Sequence, residues 1–328
     1  MDILFNNGIN FVVFFQGMGD WLIPPMKFFS FLGSEDFFIL ILPILYWSID
    51  TGLGLRVGMI LLFTGGINNI LKLSFQWPRP YWYSAKVTPM AAETSFGLPS
   101  GHSQTAASVW GMVAGYYRRA RAWVAAVLLV LFIGLSRLYL GVHFPHDVLT
   151  GWLIGGLILW AFLRYWDSVA AWAKTLTFGK QIGAAFLLSG GLVLVGGLIV
   201  TGLSGWTMPV EWMQNAARAG DELPAPVSMN SLLTTTGALF GLLTGLAWME
   251  QRGGYDASGL AWKRAVRYLI GLVGIAIFYI GLKMIFPSGE NLTAYAFRFV
   301  RYTLVGAWIS GGAPWMFITL QLANNPKR

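Results

Sequence analysis

The stretch S-R-L-Y-L-G-V-H-F-P-H-D, Ser136 to Asp147, joins two strongly apolar segments and places Arg137, His143 and Asp147 within twelve positions. Ionisable groups at a membrane boundary are costly, so they mark function by default. Pro145 suits the first position of a helix, and Phe144 before it is pushed away from helical geometry. Asp147 then falls in the first turn, where the helix dipole favours a carboxylate. His143 lies four residues upstream, just outside that helix, where Asp147 can reach back to one ring nitrogen. An imidazole held that way has a fixed tautomer and turns its other nitrogen outward as a nucleophile or base. A capping Asp beside an interfacial His is the plain structural alternative.

Outward from this stretch the chain reads as membrane protein. Of its 328 residues 56% are hydrophobic and 11% charged, against about 25% charged in an ordinary soluble domain. Sixteen Trp and twelve Tyr suit interfacial belts, and forty Gly suit close helix packing. The net charge of +8 calls for no nucleic acid, because Lys and Arg collect in cytoplasmic loops. With no Cys, disulfide and thiolate chemistry are excluded; with only His102, His143 and His146, a His-rich metal cluster is not expected. Met1-Asp2 lacks a basic leader region, so no signal peptide is expected.

The expected fold is all-α, a polytopic bundle of about nine spans. Residues 1–33 read as two interfacial helices or a short span, with Asp20 interrupting and Pro24-Pro25 breaking any helix there. Ser34-Glu35-Asp36 reads as a cap with acids in the first turn. It opens a span to about Trp47. Further spans are expected near 53–75 (stopped by Trp77-Pro78), 101–117, 122–140, 146–166, 181–203, 230–249, 265–286 and 293–320. Residues 34–166 form a core and 167–328 a four-helix C-terminal extension.

Alternating these spans puts residues 50–56, 117–121, 164–180, 250–267 and the C-terminus on one side. That side holds thirteen of the twenty-two Lys and Arg, among them Arg118, Arg119, Arg121, Lys263, Arg264, Lys327 and Arg328. By the positive-inside rule it is cytoplasmic. The other side then faces the periplasm, the exterior or a lumen. Lys283, Arg298 and Arg301 run against that trend; a second lipid phosphate or a dimer contact would explain them, but snorkelling is the default expectation.

Three motifs share the non-cytoplasmic side. Lys72 and Arg79 bracket the end of one span in K-L-S-F-Q-W-P-R-P. Pro99-Ser100-Gly101-His102 opens the next, and a helix start of this kind offers free N–H groups to a phosphate. Arg137, His143 and Asp147 complete the set. Singly each has a bland reading as snorkelled, capping or solvated residues. Together they bring two or three cations, a helix N-terminus and two imidazoles to one face, which describes a metal-free phosphoryl-transfer site.

In order and spacing, K-x6-R-P, P-S-G-H and S-R-x5-H-x3-D resemble the signature of the type 2 phosphatidate phosphatase and vanadium-haloperoxidase superfamily. Lys72, Arg79, Pro80, Pro99, Ser100, Gly101, His102, Ser136, Arg137, His143 and Asp147 match it. The resemblance covers about residues 34–166. It departs at the N-terminus, where a full span usually precedes residue 34, and residues 181–328 carry no recognised signature. It implies that His143 attacks phosphorus to form a phosphohistidine, oriented by Asp147. His102 would protonate the leaving group and then activate water. Lys72, Arg79, Ser100, Gly101 and Arg137 would hold the phosphate oxygens, with no metal and no cofactor. His146 lies outside the signature and reads as structural.

A site at the end of a membrane bundle suits a lipid phosphate: phosphatidate, lysophosphatidate, phosphatidylglycerol phosphate, a polyprenyl diphosphate or a sphingoid-base phosphate. Tyr81, Trp82, Tyr83 and Lys86 read either as the headgroup entrance or as an interfacial anchor. The expected location is the cell (inner) membrane with the site facing outward, and a homodimer is left open. Two other classes compete: a vanadate-dependent halide oxidase, and a lipid transporter or scaffold built on the same core.

Overall fold

A computed structural model describes residues 2–218 and 223–325. The expectations placed on Lys327 and Arg328 lie outside the described residues. Every regular element among those described is a helix.

The N-terminal stretch is more helical than Pro24-Pro25 suggested. Helix α1 runs Asp2–Gln16, and α2, Ile23–Phe31, begins with the two prolines in its first turn. There a missing N–H costs nothing, so Pro starts a helix instead of breaking it. Helix α3 (Glu35–Ile44) follows a Ser34 whose Oγ accepts from Phe37 N–H at 3.3 Å, and it passes into a wider turn over Leu45–Ile49. Then come α4 (Thr51–Phe75), α5 (Pro80–Tyr83), α6 (Gly101–Tyr117), α7 (Ala120–Tyr139) and α8 (Pro145–Thr175). The chain continues through α9 (Phe178–Gly202), α10 (Val210–Ala216), α11 (Asn230–Gln251), α12 (Ala261–Ala276), α13 (Leu282–Ile285), α14 (Leu292–Ala307) and α15 (Ala313–Thr319).

Among the described residues six helices are long and apolar enough to cross a membrane. They correspond to the spans expected near 53–75, 122–140, 146–166, 181–203, 230–249 and 265–286. A seventh arises if the bent pair Asp20–Phe31 and Glu35–Ile49 is one crossing. The expected spans 101–117 and 293–320 are helical but are not among those six. The chain is an integral membrane protein.

Two compact units interleave in sequence. One comprises residues 1–38, 67–161 and 198–228; the other comprises 39–66, 162–197 and 229–328. In the first, α6 packs on α7, and α1 and α2 flank α7. Its core is aromatic: Phe5, Tyr81, Trp82, Phe96, Tyr139 and Phe144 are all buried. In the second, α11 and α14 pack along Gly237, Gly241 and Gly245, where a Cβ on Gly241 would lie 2.0 Å from the Thr303 carbonyl oxygen. Spacing small residues by four lets two helix backbones touch. Arg267 is fully buried here and donates to the carbonyls of Trp47, Ala257 and Ser258 and to the Tyr255 hydroxyl. Arg301 is buried as well, against the snorkelling expectation, with its guanidinium 5.0 Å over the Tyr302 ring. Lys283 is exposed.

Candidate active site

The site lies in the first unit, where the ends of α4, α6, α7 and α8 meet. Helix α4 closes as Gln76 turns to φ 55° and its N–H reaches the Lys72 carbonyl at 3.1 Å. Lys72 is thereby left in the last turn, buried, donating to Ser95 Oγ at 2.9 Å and the Phe96 carbonyl at 2.8 Å. Arg79 is extended because Pro80 follows it, and it caps the short α5. Its side chain is fully buried. Nε donates to the Ser95 carbonyl at 2.6 Å and Nη1 to the Val142 carbonyl at 3.0 Å.

Helix α7 ends in a Schellman turn. Gly141 has φ 73°, its N–H bonds the Leu138 carbonyl, and Val142 N–H returns to the Arg137 carbonyl at 3.2 Å. His143 N–H shares that acceptor at 3.3 Å. Helix α8 then begins at Pro145 as the sequence predicts. Asp147 Oδ2 accepts from Phe144 N–H at 2.9 Å, a cap from inside the first turn, and lies 3.1 Å from His143 Nδ1. One carboxylate oxygen both closes the helix start and orients the imidazole.

His143 is 1% exposed, and Nη1 of Arg79 points at its Nε2 across 3.3 Å. A guanidinium can only donate. Nε2 must therefore accept, so the ring proton sits on Nδ1 facing Asp147. Burial, then the cations Arg79 and Lys72, hold the His143 pKa well below its ordinary value. The ring is neutral, with its lone pair on the side of the cations.

At α6, Ser100 caps the helix, accepting from Ser103 N–H at 3.4 Å, and its own N–H donates to the Asp147 carbonyl at 3.0 Å. That bond ties the two helix starts together. Gly101 and His102 follow, so their amides belong to the unpaired first turn. Asn68 supports the turn through the Pro99 carbonyl at 3.3 Å and Gln104 Oε1 at 2.8 Å. His102 is half-buried, within electrostatic reach of Glu93 and His143. Arg137 is buried, donates to Ser30 Oγ at 2.5 Å, and keeps a buried Nε with no partner among the described residues.

All eight expected site residues are thus brought to one end of the unit. His146, expected to be structural, stacks on Phe144 at 4.9 Å and meets Trp77 edge-on at 5.1 Å, with its Nε2 3.5 Å from Oδ1 of Asp147. The aromatic loop is corrected. Tyr81 and Trp82 are buried core residues and neither line an entrance nor anchor at an interface. Sequence reasoning missed Glu93, whose carboxylate bonds both Arg79, at 3.3 Å, and Arg137. A signal existed: Glu93 is the only acid between Asp50 and Asp147. Burial would raise its pKa, but Arg79 and Arg137 outweigh that and hold it below the usual carboxylate range.

Apolar spans with an imidazole and three buried cations at their ends define an integral membrane protein with an anion-handling site. Residues 53–170 match the family model described as PAP2 superfamily, and residues 233–325 match the PAP2 superfamily phosphatase transmembrane extension. The chain belongs to the PAP2 superfamily, whose phosphatases hydrolyse phosphate esters. It is similar to a probable sphingosine-1-phosphate phosphatase of Dictyostelium discoideum, 33% identical over 49% of this chain and 43% of that protein. The chain thus spans less than half of that relative's length. It is also similar to glucose-6-phosphatase 3 of Bos taurus, 26% identical over 96% of both chains. A crystal structure of a PAP2-type phosphatidylglycerolphosphate phosphatase from Bacillus subtilis aligns with 51% of this chain and 88% of its own, at 24% identity and a TM-score of 0.44.

Proposed function

We propose that this protein is a metal-independent membrane phosphatase that removes phosphate from a lipid through a phosphohistidine on His143. The observation that carries the reading is the polarised imidazole, with Nδ1 on Asp147 and a neutral Nε2 facing the Arg79 guanidinium. Nε2 donates its lone pair to phosphorus, the P–N bond forms, and the ester P–O bond breaks as His102 gives a proton to the departing oxygen. His102 then takes a proton from water, the oxygen of that water attacks phosphorus, and the P–N bond breaks. Lys72, Arg79, Arg137 and the Ser100–Gly101 turn hold the oxygens as charge is redistributed.

A lipid is favoured because the site sits where apolar helices end, so a membrane-anchored substrate can present its headgroup without leaving the bilayer. The relative named for sphingosine 1-phosphate supports that choice. A soluble sugar phosphate is the second reading, favoured by the full-length similarity to a protein named glucose-6-phosphatase 3. Phosphate release by detergent-purified protein in EDTA, over lipid phosphates, lipid diphosphates and glucose 6-phosphate, ranks the two. Turnover should survive EDTA and vanish in His143→Ala; turnover that EDTA abolishes would sink the metal-free mechanism.

The basic turn between α6 and α7, with Arg118, Arg119 and Arg121, is assigned to the cytoplasm, which turns the site, at the opposite ends of those helices, to the periplasm or exterior of a cell membrane. The chain has no Cys, so single replacements report cleanly. Lys86→Cys should react with an impermeant maleimide added to intact cells and Arg119→Cys should not; the reverse pattern inverts the topology.

A further inference from the structure

We propose that the Glu93 carboxylate is an internal occupant of the phosphate seat, which a substrate phosphate must displace to bind. The inference rests on the phosphatase reading and describes how that same site is entered.

Oε2 of Glu93 lies 3.3 Å from Nη2 of Arg79, and Oε1 accepts from Nη2 of Arg137. One oxygen on each of two guanidiniums is how two oxygens of a phosphoryl group would be held. The alignment with the nucleophile is what makes this a competition. Arg79 directs Nη1 to Nε2 of His143 and Nη2 to Glu93. A phosphorus within reach of Nε2 would therefore need the donors that Glu93 already uses. The Glu93 charge also interacts with His102 and Lys72, so it is felt by the groups assigned to the phosphate on several sides. A phosphate dianion entering beside an ionised carboxylate in this buried cage meets like-charge repulsion.

The arginines are the fixed partners and Glu93 the movable one. Arg79 is fully buried and tied to the carbonyls of Ser95, Val142 and Phe96, while the Arg137 side chain is 3% exposed and tied to Ser30. The Glu93 side chain keeps 25% exposure. Its backbone is held in place: N–H donates to the Tyr81 hydroxyl and the carbonyl accepts from it, both at 3.0 Å. Next along, the Thr94 carbonyl accepts from Ala225 N–H at 3.1 Å, and Phe96 meets Trp206 edge-on at 5.2 Å. With the main chain clamped, rotation of the Glu93 side chain is the motion that clears the seat. Until then its charge offsets the mutual repulsion of the buried cations.

Orthovanadate, a phosphate mimic, tests this on the full-length protein in detergent. Replacing the carboxylate by an amide removes the competing charge, so Glu93→Gln should lower the vanadate inhibition constant and the substrate KM by about tenfold. A carboxylate that merely positioned the two arginines would give the opposite sign, and weaker vanadate binding in Glu93→Gln overturns the proposal. A second measurement needs no variant. Carbodiimide coupling of an amine to Glu93, read by mass spectrometry, should rise when saturating vanadate expels the side chain into solvent; unchanged or reduced coupling overturns it. Failure of the wild-type protein to bind vanadate at all would instead remove the phosphate reading, and this inference with it.

Discussion

Nη1 of Arg79 stands 3.3 Å from Nε2 of His143, while Nδ1 of the same ring stands 3.1 Å from Asp147. The imidazole is therefore gripped at both nitrogens by groups of opposite charge, which fixes its tautomer and its tilt together. The same guanidinium also bonds the carbonyls of Ser95, Val142 and Phe96. Arg79 thus links the residue before His143 to the loop that carries Glu93.

Arg79→Lys should behave as a severe change despite keeping the charge. An ammonium cannot reach the Val142 carbonyl, His143 Nε2 and the Ser95 carbonyl from one planar fork. Loss of one oriented donor to a developing oxyanion costs on the order of 100-fold to 1,000-fold in kcat. Steady-state kinetics of the variant check this, and a fall of less than about threefold would remove Arg79 from the chemistry.

Asp147 has two tasks on one oxygen, and two substitutions separate them. Asp147→Asn keeps an acceptor for Phe144 N–H but removes the charge facing His143, so kcat should drop by about 100-fold or more with little change in thermal stability. Asp147→Ala also removes the cap, which adds about 1 kcal/mol of destabilisation. Melting curves in detergent should therefore rank Asn above Ala although both are nearly inactive. Equal melting temperatures would show that the Phe144 bond contributes nothing.

The helices and the site were legible for different reasons. Runs such as 122–140 and 181–203 announce themselves by composition, and the Pro145/Asp147 start was readable from local backbone rules. The His143–Asp147 contact followed because four residues across a helix start leave few geometries. Glu93 was not readable in that way. Its place depends on how the seventeen-residue loop between α5 and α6, residues 84–100, folds back, with Tyr81 binding the Glu93 backbone and Gln16, from α1, binding Thr88. Such contacts have no periodicity. Tyr81 and Trp82 misled for a related reason: an aromatic pair in a loop looks the same in sequence whether it anchors a membrane surface or fills a core.

The buried, neutral His143 also sets a pH dependence. In the unfolded chain it titrates near its ordinary value of about 6.5, whereas in the fold burial, Arg79 and Lys72 depress its pKa. Between those two values the unfolded state binds the extra proton, so stability rises with pH there and is lost as pH falls. Glu93, also depressed, adds the same sign at lower pH, below its unfolded value of about 4.3. Melting temperature should decline from pH 7 towards pH 5, and the decline should shrink in His143→Gln. An identical slope in the variant would show that another group carries the effect.

Gly141 is the position where backbone geometry and catalysis meet most directly. Its φ of 73° costs a side-chain-bearing residue about 1–2 kcal/mol. A Cβ there would also stand 2.8 Å from Val87 Cγ1 and 2.9 Å from both Gln16 Nε2 and the Thr88 carbonyl oxygen. The valine methyl can turn aside, but the carbonyl is main chain and is held by Gln16 at 2.6 Å. Relief must come from moving the α7 exit, and Val142 and His143 N–H hang from the Arg137 carbonyl on that exit. Gly141→Ala should therefore lower the melting temperature by roughly 5 °C and reduce kcat by at least about tenfold, since a small misplacement of an attacking atom is costly. Gly156→Ala in α8, where an added Cβ meets nothing within 4 Å, is the matched control and should change neither. If Gly141→Ala loses stability but keeps full kcat, the Schellman turn supports the fold without aiming His143.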